Sequence, residues 1–183
     1  MRGIDTMLAL HKYTDKEIKT LLSSIVILID TREQQNSHIV QKLDENKIKY
    51  KSMKLDYGDY SMMLPVNPEL GIVRDAYFDN QIVVERKGSL EELSGNLSND
   101  RNRFENELLR CKAHMTLMIE GSSFQDIFFH SYKTKLSEKA FFSSLMSFKA
   151  KYGIDISFVD AHYSWYYIHA TFYYYLRNYL KNG

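Results

Sequence analysis

The sequence predicts a single α/β domain with a central mixed sheet flanked by helices. Two observations carry this expectation. Short β-type apolar runs such as "SSIVILID" and "HMTLMIEG" alternate along the chain with segments whose apolar residues recur at helical spacing. The 183 residues, 44% apolar and 26% charged, suit one globular core, and no repeat, low-complexity tract or linker divides them.

Each element has its own warrant. "TDKEIKTLL" opens with a capping box, Thr14 and Glu17, and predicts a short helix. "SSIVILID" predicts a strand buried on both faces. "NSHIVQKLDEN" carries Ile39, Val40 and Leu43 at helical spacing behind an N-cap at Asn36 or Ser37. "KIKYKSMKL" alternates apolar residues with lysine and predicts a half-exposed strand. Asp56 to Gly58 form a turn, "DYSMML" begins the next strand, and "PVNPELG" holds both prolines in a loop or hairpin tip. "AYFDNQIVVERK" returns as one strand. "LEELSGNLSN", interrupted by Gly95, predicts an irregular helix or loop. "DRNRFENELLRCK" predicts a helix with Phe104, Leu108 and Cys111 on one stripe. "HMTLMIEG" is a strand, and "KTKLSEKAFFSSLMSFKAKYG" a helix closed by Gly153. "IDISFVD" is a last strand and "SWYYIHATFYYYLRNYLK" a last long helix. The division expected is an N-terminal helical extension (1–23), a core (24–160) and a C-terminal aromatic helix (161–183).

Composition excludes several classes. Cys111 is the sole cysteine, so neither an internal disulfide nor a cysteine metal cage is possible. With no signal-peptide pattern, this fits a reducing cytoplasm. The longest purely aliphatic stretch, "IVILI", is far too short to span a bilayer, so no membrane partner is expected. The six histidines show no H-x-H or H-E-x-x-H spacing, which argues against a histidine zinc site. The net charge of +1 gives no whole-chain signal for a polyanion. Any nucleic-acid surface must come from local clustering.

The chemistry concentrates at predicted strand ends. In "QIVVERKGSLEEL" an apolar strand runs into Glu85, Arg86 and Lys87. Period-two alternation puts Glu85 and Lys87 on one face and Arg86 on the other. A carboxylate beside a lysine suits a hard divalent cation and the water next to it. A hairpin between "LDYGDY" and this strand would set Asp59 beside Glu85 as a second carboxylate. Asp30 ends the buried strand of "LIDTRE", with Glu33 just beyond, as a third acidic place. Taken singly, Asp59 also suits an ordinary turn and Asp30 an Asx-turn.

Together, "LIDTRE", "LDYGDY", "IVVERKGSLEEL" and "DRNRFENELLR", in that order, resemble the nuclease domain of XPF-type structure-specific endonucleases, with its G-D…E-R-K-x-x-x-D signature. The resemblance covers roughly residues 25–121 by motif. It implies a restriction-endonuclease-like nuclease fold and Mg²⁺-dependent hydrolysis of DNA phosphodiester bonds, with Mn²⁺ substituting. It also implies a preference for branched DNA (flap, fork or junction). Asp59 and Glu85 match the metal-binding acids and Lys87 the catalytic lysine. Arg86 matches the arginine of the triplet, Asp30 and Glu33 the acids of the first motif, and Arg103 and Phe104 the R-F pair of the following helix. The family aspartate four residues after the lysine is Glu91 here, a longer arm with the same charge. Many relatives continue into tandem helix–hairpin–helix modules. This chain looks instead like the stand-alone members of phages and prophages, acting in the bacterial cytoplasm in recombination, replication or repair.

A phosphate-binding surface is expected from Lys133, Lys135, Lys139 and Lys149 within the basic run 132–151, and "KIKYKSMK" adds four more lysines. Trp165, Ile168, Phe172 and Leu176 give the last helix a core-facing stripe. Tyr166, Tyr167, Tyr173 and Tyr174 add a second aromatic surface that suits a homodimer through C-terminal helices. No small-molecule cofactor is implied. The competing functions are a Holliday-junction resolvase or low-selectivity DNA nuclease, and a non-catalytic DNA-binding partner of a nuclease.

Overall fold

The structure, a computed structural model, describes Leu8 and residues 11–182. The first part of the expected N-terminal extension, residues 1–7, 9 and 10, lies outside the described residues. Helix α1 (Asp15–Ser23) starts at the anticipated capping box, where the Thr14 hydroxyl accepts from the Glu17 N–H and the Glu17 carboxylate accepts from the Thr14 N–H. Strand β1 (Val26–Ile29), helix α2 (Ser37–Glu45), strand β2 (Lys49–Ser52) and strand β3 (Tyr60–Leu64) follow. Then come β4 (Ala76–Tyr77), β5 (Ile82–Lys87), α3 (Leu90–Leu97), α4 (Arg101–Arg110) and β6 (His114–Glu120). The chain finishes with α5 (Phe124–Phe128), α6 (Glu138–Tyr152), β7 (Asp155–Val159) and α7 (Ser164–Asn182).

The sheet is mixed, in the order β2-β1-β3-β5-β6-β7, with β4 pairing only with β3. β1–β2, β5–β6 and β6–β7 are parallel; β3 runs antiparallel to both β1 and β5. One face is covered by α1, α2 and α7, whose Leu21, Ile39, Leu43 and Phe172 pack on Tyr60, Met62 and Val84. The other is covered by α3, α4 and α6 over β5 and β6, through Leu93, Phe104, Phe141 and Phe148 against Val83 and Leu117. Each such side chain taken out of water contributes roughly 1.5–3 kcal/mol. Over β1 and β3 this second face carries only the small cluster of Leu28, Leu55 and Met63. Among the described residues no helix is long and apolar enough to cross a membrane.

Four elements differ from the sequence expectation. "AYFDNQIVVERK" is two strands, because a turn at Phe78–Gln81 (Gln81 N–H to Phe78 carbonyl, 2.9 Å) interrupts it. Asp79 and Asn80 supply the turn chemistry. "LEELSGNL" is a regular helix: Ser89 caps it and Leu90, Leu93 and Leu97 are buried, which outweighs the ~1 kcal/mol that Gly95 costs. Helix α6 starts at the Ser137 cap, so Lys133 and Lys135 lie in the preceding loop. All four residues of β2 are exposed, since β2 is the sheet's edge. The short helix α5 had no counterpart in the sequence reading; its Phe124 and Phe128, with Phe129, are exposed.

Candidate active site

The site forms where β1 and β5 end and β3 begins. Tyr60 pairs with Val84, so the antiparallel register sets Asp59 across from Glu85. Two hydrogen bonds fix this: the Asp59 N–H donates to the Val84 carbonyl at 2.9 Å, and the Arg86 N–H donates to Asp59 Oδ2 at 2.8 Å. The approach depends on Gly58. Its φ is +66°, and a Cβ there would lie 2.9 Å from Val83 Cβ and 3.1 Å from the Val84 carbonyl oxygen.

Lys87 shares the Glu85 face, as period two requires. Its Nζ donates to Glu85 Oε1 at 2.8 Å and lies 5.1 Å from the centre of the Phe104 ring. Burial alone would lower the Lys87 pKa; the Glu85 carboxylate, with Glu92 and Asp59 behind it, outweighs burial and holds the amine firmly protonated. Lys87 is therefore a cation and hydrogen-bond donor here and not a base. Asp59, Glu85, Lys87, Arg32, Arg103 and Arg110 line one cleft of about 500 Å³.

Burial and the facing Glu85 carboxylate push the Asp59 carboxyl well above its ordinary value, and the Arg86 N–H and Lys87 do not offset them. Without a cation, the folded protein keeps a proton on Asp59 that the unfolded chain releases near pH ~3.9. This residue thus costs stability as pH rises, over a window that opens at that value and closes above the raised native one. In chelator, the melting temperature of the wild type should fall relative to Asp59→Asn as pH is raised through that window. Parallel curves would assign no such penalty to Asp59.

The other expected residues separate by position. Asp30 is buried and fully engaged: it accepts from the Arg32 N–H (2.7 Å), Arg32 Nε (2.7 Å), Arg32 Nη2 (3.0 Å) and the Leu55 N–H (2.6 Å). Four donors use the acceptor sites of a carboxylate. Burial would raise its pKa, but the Arg32 and Leu55 bonds hold it below the usual range. Asp30 therefore backs the cleft through Arg32. Arg86 turns to the opposite face and pairs with the buried Glu120, with Glu33 at 3.6 Å and His38 on the far Glu120 oxygen at 2.7 Å. Burial raises the Glu33 carboxyl, against the pull of Arg86. Glu91 accepts from the Lys133 N–H. Its neighbour Glu92 lies 3.5 Å from Lys87 Nζ and accepts from the Gly88 N–H. Arg103 is exposed and 3.9 Å from both Asp100 and Glu107. Lys133, Lys135, Lys139 and Lys149 are all exposed.

Arg32, Glu92 and Glu120 carried no role in the sequence reading. Each had a signal: Arg32 sits inside the quoted "LIDTRE", Glu92 is the third residue of a Ser-capped helix, and Glu120 is an acid closing an otherwise apolar strand.

Among the described residues no three His, Cys, Asp or Glu side chains converge as a metal cage. Two carboxylates fit Mg²⁺ nonetheless. That ion is commonly held by one or two protein carboxylates, with water and substrate phosphate completing its shell. The raised Asp59 carboxyl opposite Glu85 also marks a place where a cation would relieve repulsion.

Fold and cleft together define a restriction-endonuclease-like nuclease fold. The chain belongs to the ERCC4 domain family, which matches residues 29–166. It is similar in structure to XPF from Aeropyrum pernix in complex with DNA, at TM-score 0.58 and 18% identity over 80% of this chain and 62% of that one. A second structure of XPF from Aeropyrum pernix matches at TM-score 0.56 and 16% identity over 84% and 63%. The chain thus spans a little over three fifths of the length of these structures. No curated protein matches the sequence.

Proposed function

We propose that this protein is a divalent-metal-dependent DNA endonuclease that hydrolyses phosphodiester bonds in branched DNA. Mg²⁺ is the natural ion, Mn²⁺ a substitute, and the setting is phage or bacterial recombination, replication or repair. The observation that carries this is Asp59 facing Glu85 across the β3–β5 pair, with a protonated Lys87 beside them in an open cleft. Family membership and the DNA complex of the similar XPF structure support it.

Asp59 and Glu85 would hold the ion. When bound, it neutralises charge on the scissile phosphate and acidifies a coordinated water. Lys87 donates a hydrogen bond to the attacking water or to a phosphate oxygen. Its ammonium is steadied over the Phe104 ring and by Glu85. Arg32, oriented by Asp30, and Arg103 face the same cleft and suit phosphate. Asp30, Glu33 and Arg86 are positioning residues: they act through Arg32 and through the end of β5. Glu91 anchors the loop at Lys133, and Lys133, Lys135, Lys139 and Lys149 add to the positive field around DNA. Residues 1–183 serve as one nuclease domain. All three residues that a non-catalytic partner could lose, Asp59, Glu85 and Lys87, are present and assembled.

Purified protein with Mg²⁺ should cut flaps, forks or junctions faster than linear duplex or single strand in a labelled panel. Paired symmetrical cuts confined to four-way junctions would favour the resolvase reading, and no cutting of any member would reject the nuclease. The expected four-tyrosine surface of α7 divides: Tyr167 and Tyr173 pack against the core that Ile168, Phe172 and Leu176 fill, while Tyr166 and Tyr174 stay 56% and 58% exposed, and this exposed pair supports a homodimer. Light scattering should give twice the 21.6 kDa chain mass; the monomer mass would reject the pairing.

A further inference from the structure

Helices cover the two broad faces of the sheet unequally, and the half that no helix covers, where Leu28, Leu55 and Met63 are buried under the chain around Met53 and Tyr77, lies beside the cleft. On the face that carries Asp59, Glu85 and Lys87, helices α3, α4 and α6 cover β5 and β6. Towards β2 the same face holds only Leu28, Leu55 and Met63 with their few neighbours. β2 is the outer strand there. Its register with β1 pairs Lys49 with Val26 and Lys51 with Leu28, so both lysines stand on the Leu28 face, the face of the cleft. A shallow groove runs along this edge, lined by Lys47, Lys49 and Lys51 with Val26 and Met63, and by Asp44, Ile48 and Tyr50 where it wraps round β2. All three lysines are exposed, and so is Lys54, whose neighbour Leu55 donates to Asp30 at the cleft rim.

From this arrangement we propose that the exposed lysine row along β2, on the half of the sheet that no helix covers, is a docking ledge for the duplex arm next to the scissile phosphate, with Lys49 and Lys51 on its backbone and Lys47 and Lys54 flanking them. The inference rests on the nuclease reading and adds where the DNA lies. The spacing suits a phosphate strand. Residues two apart on a strand are ~6.6 Å apart, a separation that lets two lysines sit on neighbouring phosphates of one DNA strand. β2 lies two strand spacings from β3, ~10 Å, and Lys51 and Lys49 align through β1 with Ser61 and Met63, set back along the sheet from Asp59, so the lysines would meet phosphates beyond the scissile one and outside the cleft. The line of positive charge continues through Arg32 into the cleft and reaches Arg103 and Arg110 on its far wall. The lysines of α6 form no such row: Lys139 and Lys149 are ten residues apart on a helix, ~15 Å, and Lys133 and Lys135 lie in the loop before it. Lysine on an edge strand also deters pairing with another chain. That role needs no particular face and predicts self-association in a variant, with no change in how salt affects DNA binding.

The test measures binding of a labelled 30-base-pair duplex by anisotropy, in chelator so that nothing is cut, across a salt series. The double variant K49Q/K51Q is compared with wild type and with K139Q/K149Q. Losing two phosphate contacts should flatten the slope of log K against log salt by about 1.8, at ~0.9 per contact, and weaken binding on the order of tenfold or more at 0.1 M salt. K139Q/K149Q should change the slope less. Acetylation footprinting of the wild type gives a reading independent of any variant: duplex should protect Lys49 and Lys51. An unchanged slope with unprotected lysines, in a wild type that binds and cuts DNA, would overturn the ledge and leave the nuclease standing. A wild type that binds no duplex and cuts nothing would overturn both.

Discussion

Asp59→Asn should lower cleavage by about 10³-fold while leaving the fold in place. Asparagine keeps the shape and an oxygen for the Arg86 N–H bond, but loses the charge that pairs with Glu85 to hold a cation. The electrostatic help of such an ion is worth several kcal/mol, and each 1.36 kcal/mol is tenfold in rate. Lys87→Met should cost about 10²–10³-fold, the range for losing one preorganised hydrogen-bond donor to the transition state, because methionine keeps the length of the side chain and removes the ammonium that meets Glu85 and the Phe104 ring. The two losses should not multiply, since both groups serve one transition state. They should leave the circular dichroism spectrum unchanged. Single-turnover cleavage checks all of this. A variant at either position that cuts at the wild-type rate would remove that residue from the chemistry.

The second large effect concerns stability. Glu120→Ala should destabilise the protein by about 3–5 kcal/mol, because it strands the buried Arg86 guanidinium with only Glu33 at 3.6 Å. For a domain of this size that is roughly 6–20 °C in melting temperature. Arg86→Met with Glu120→Leu should recover most of the loss, since replacing a buried pair with apolar residues of similar volume is often neutral. Equal destabilisation in the double variant would mean that Arg86 does more than pair. The pH dependence has the opposite sign to that of Asp59. Burial would raise Glu120, but the bonds from Arg86 and His38 outweigh it and hold the carboxyl below its ordinary value. Its stabilisation is present above the unfolded value of ~4.3 and is lost as pH falls through the lower native value. The wild type should therefore lose stability in acid more steeply than Glu120→Gln.

The Asp59–Glu85–Lys87 arrangement is legible in the sequence because it follows from two local rules. Period two separates Glu85 and Lys87 from Arg86, and a hairpin between neighbouring strands sets Asp59 opposite Glu85. Neither rule depends on distant packing, and the turn that splits β4 from β5 does not disturb them. The roles of Asp30 and Glu91 are not legible in the same way. Asp30 is a strand-end acid by pattern, yet the reach of a single arginine two residues on decides that its oxygens are used up. Glu91 and Glu92 are adjacent acids. Which one meets Lys87 depends on the phase of α3, set by the Ser89 cap and the burial of Leu90, Leu93 and Leu97. Glu120 is harder still, because its partnership with Arg86 arises only when β6 lies parallel beside β5. The fold is legible at the level of a mixed sheet flanked by helices. Its uneven coverage is not, because nothing local says which face of β1 and β2 the helices leave open.

The proposed nuclease depends on Asp59 and Glu85 acting together as the seat of a divalent cation. Calorimetric titration of Mn²⁺ into the metal-free protein tests this without relying on cleavage. The wild type should bind the ion at pH 7.5. Asp59→Asn should bind it more weakly by more than the 10–100-fold typical of losing an outer partner, and Glu91→Gln should match the wild type. An Asp59→Asn protein that binds Mn²⁺ as tightly as the wild type would contradict a cation seat shared by Asp59 and Glu85.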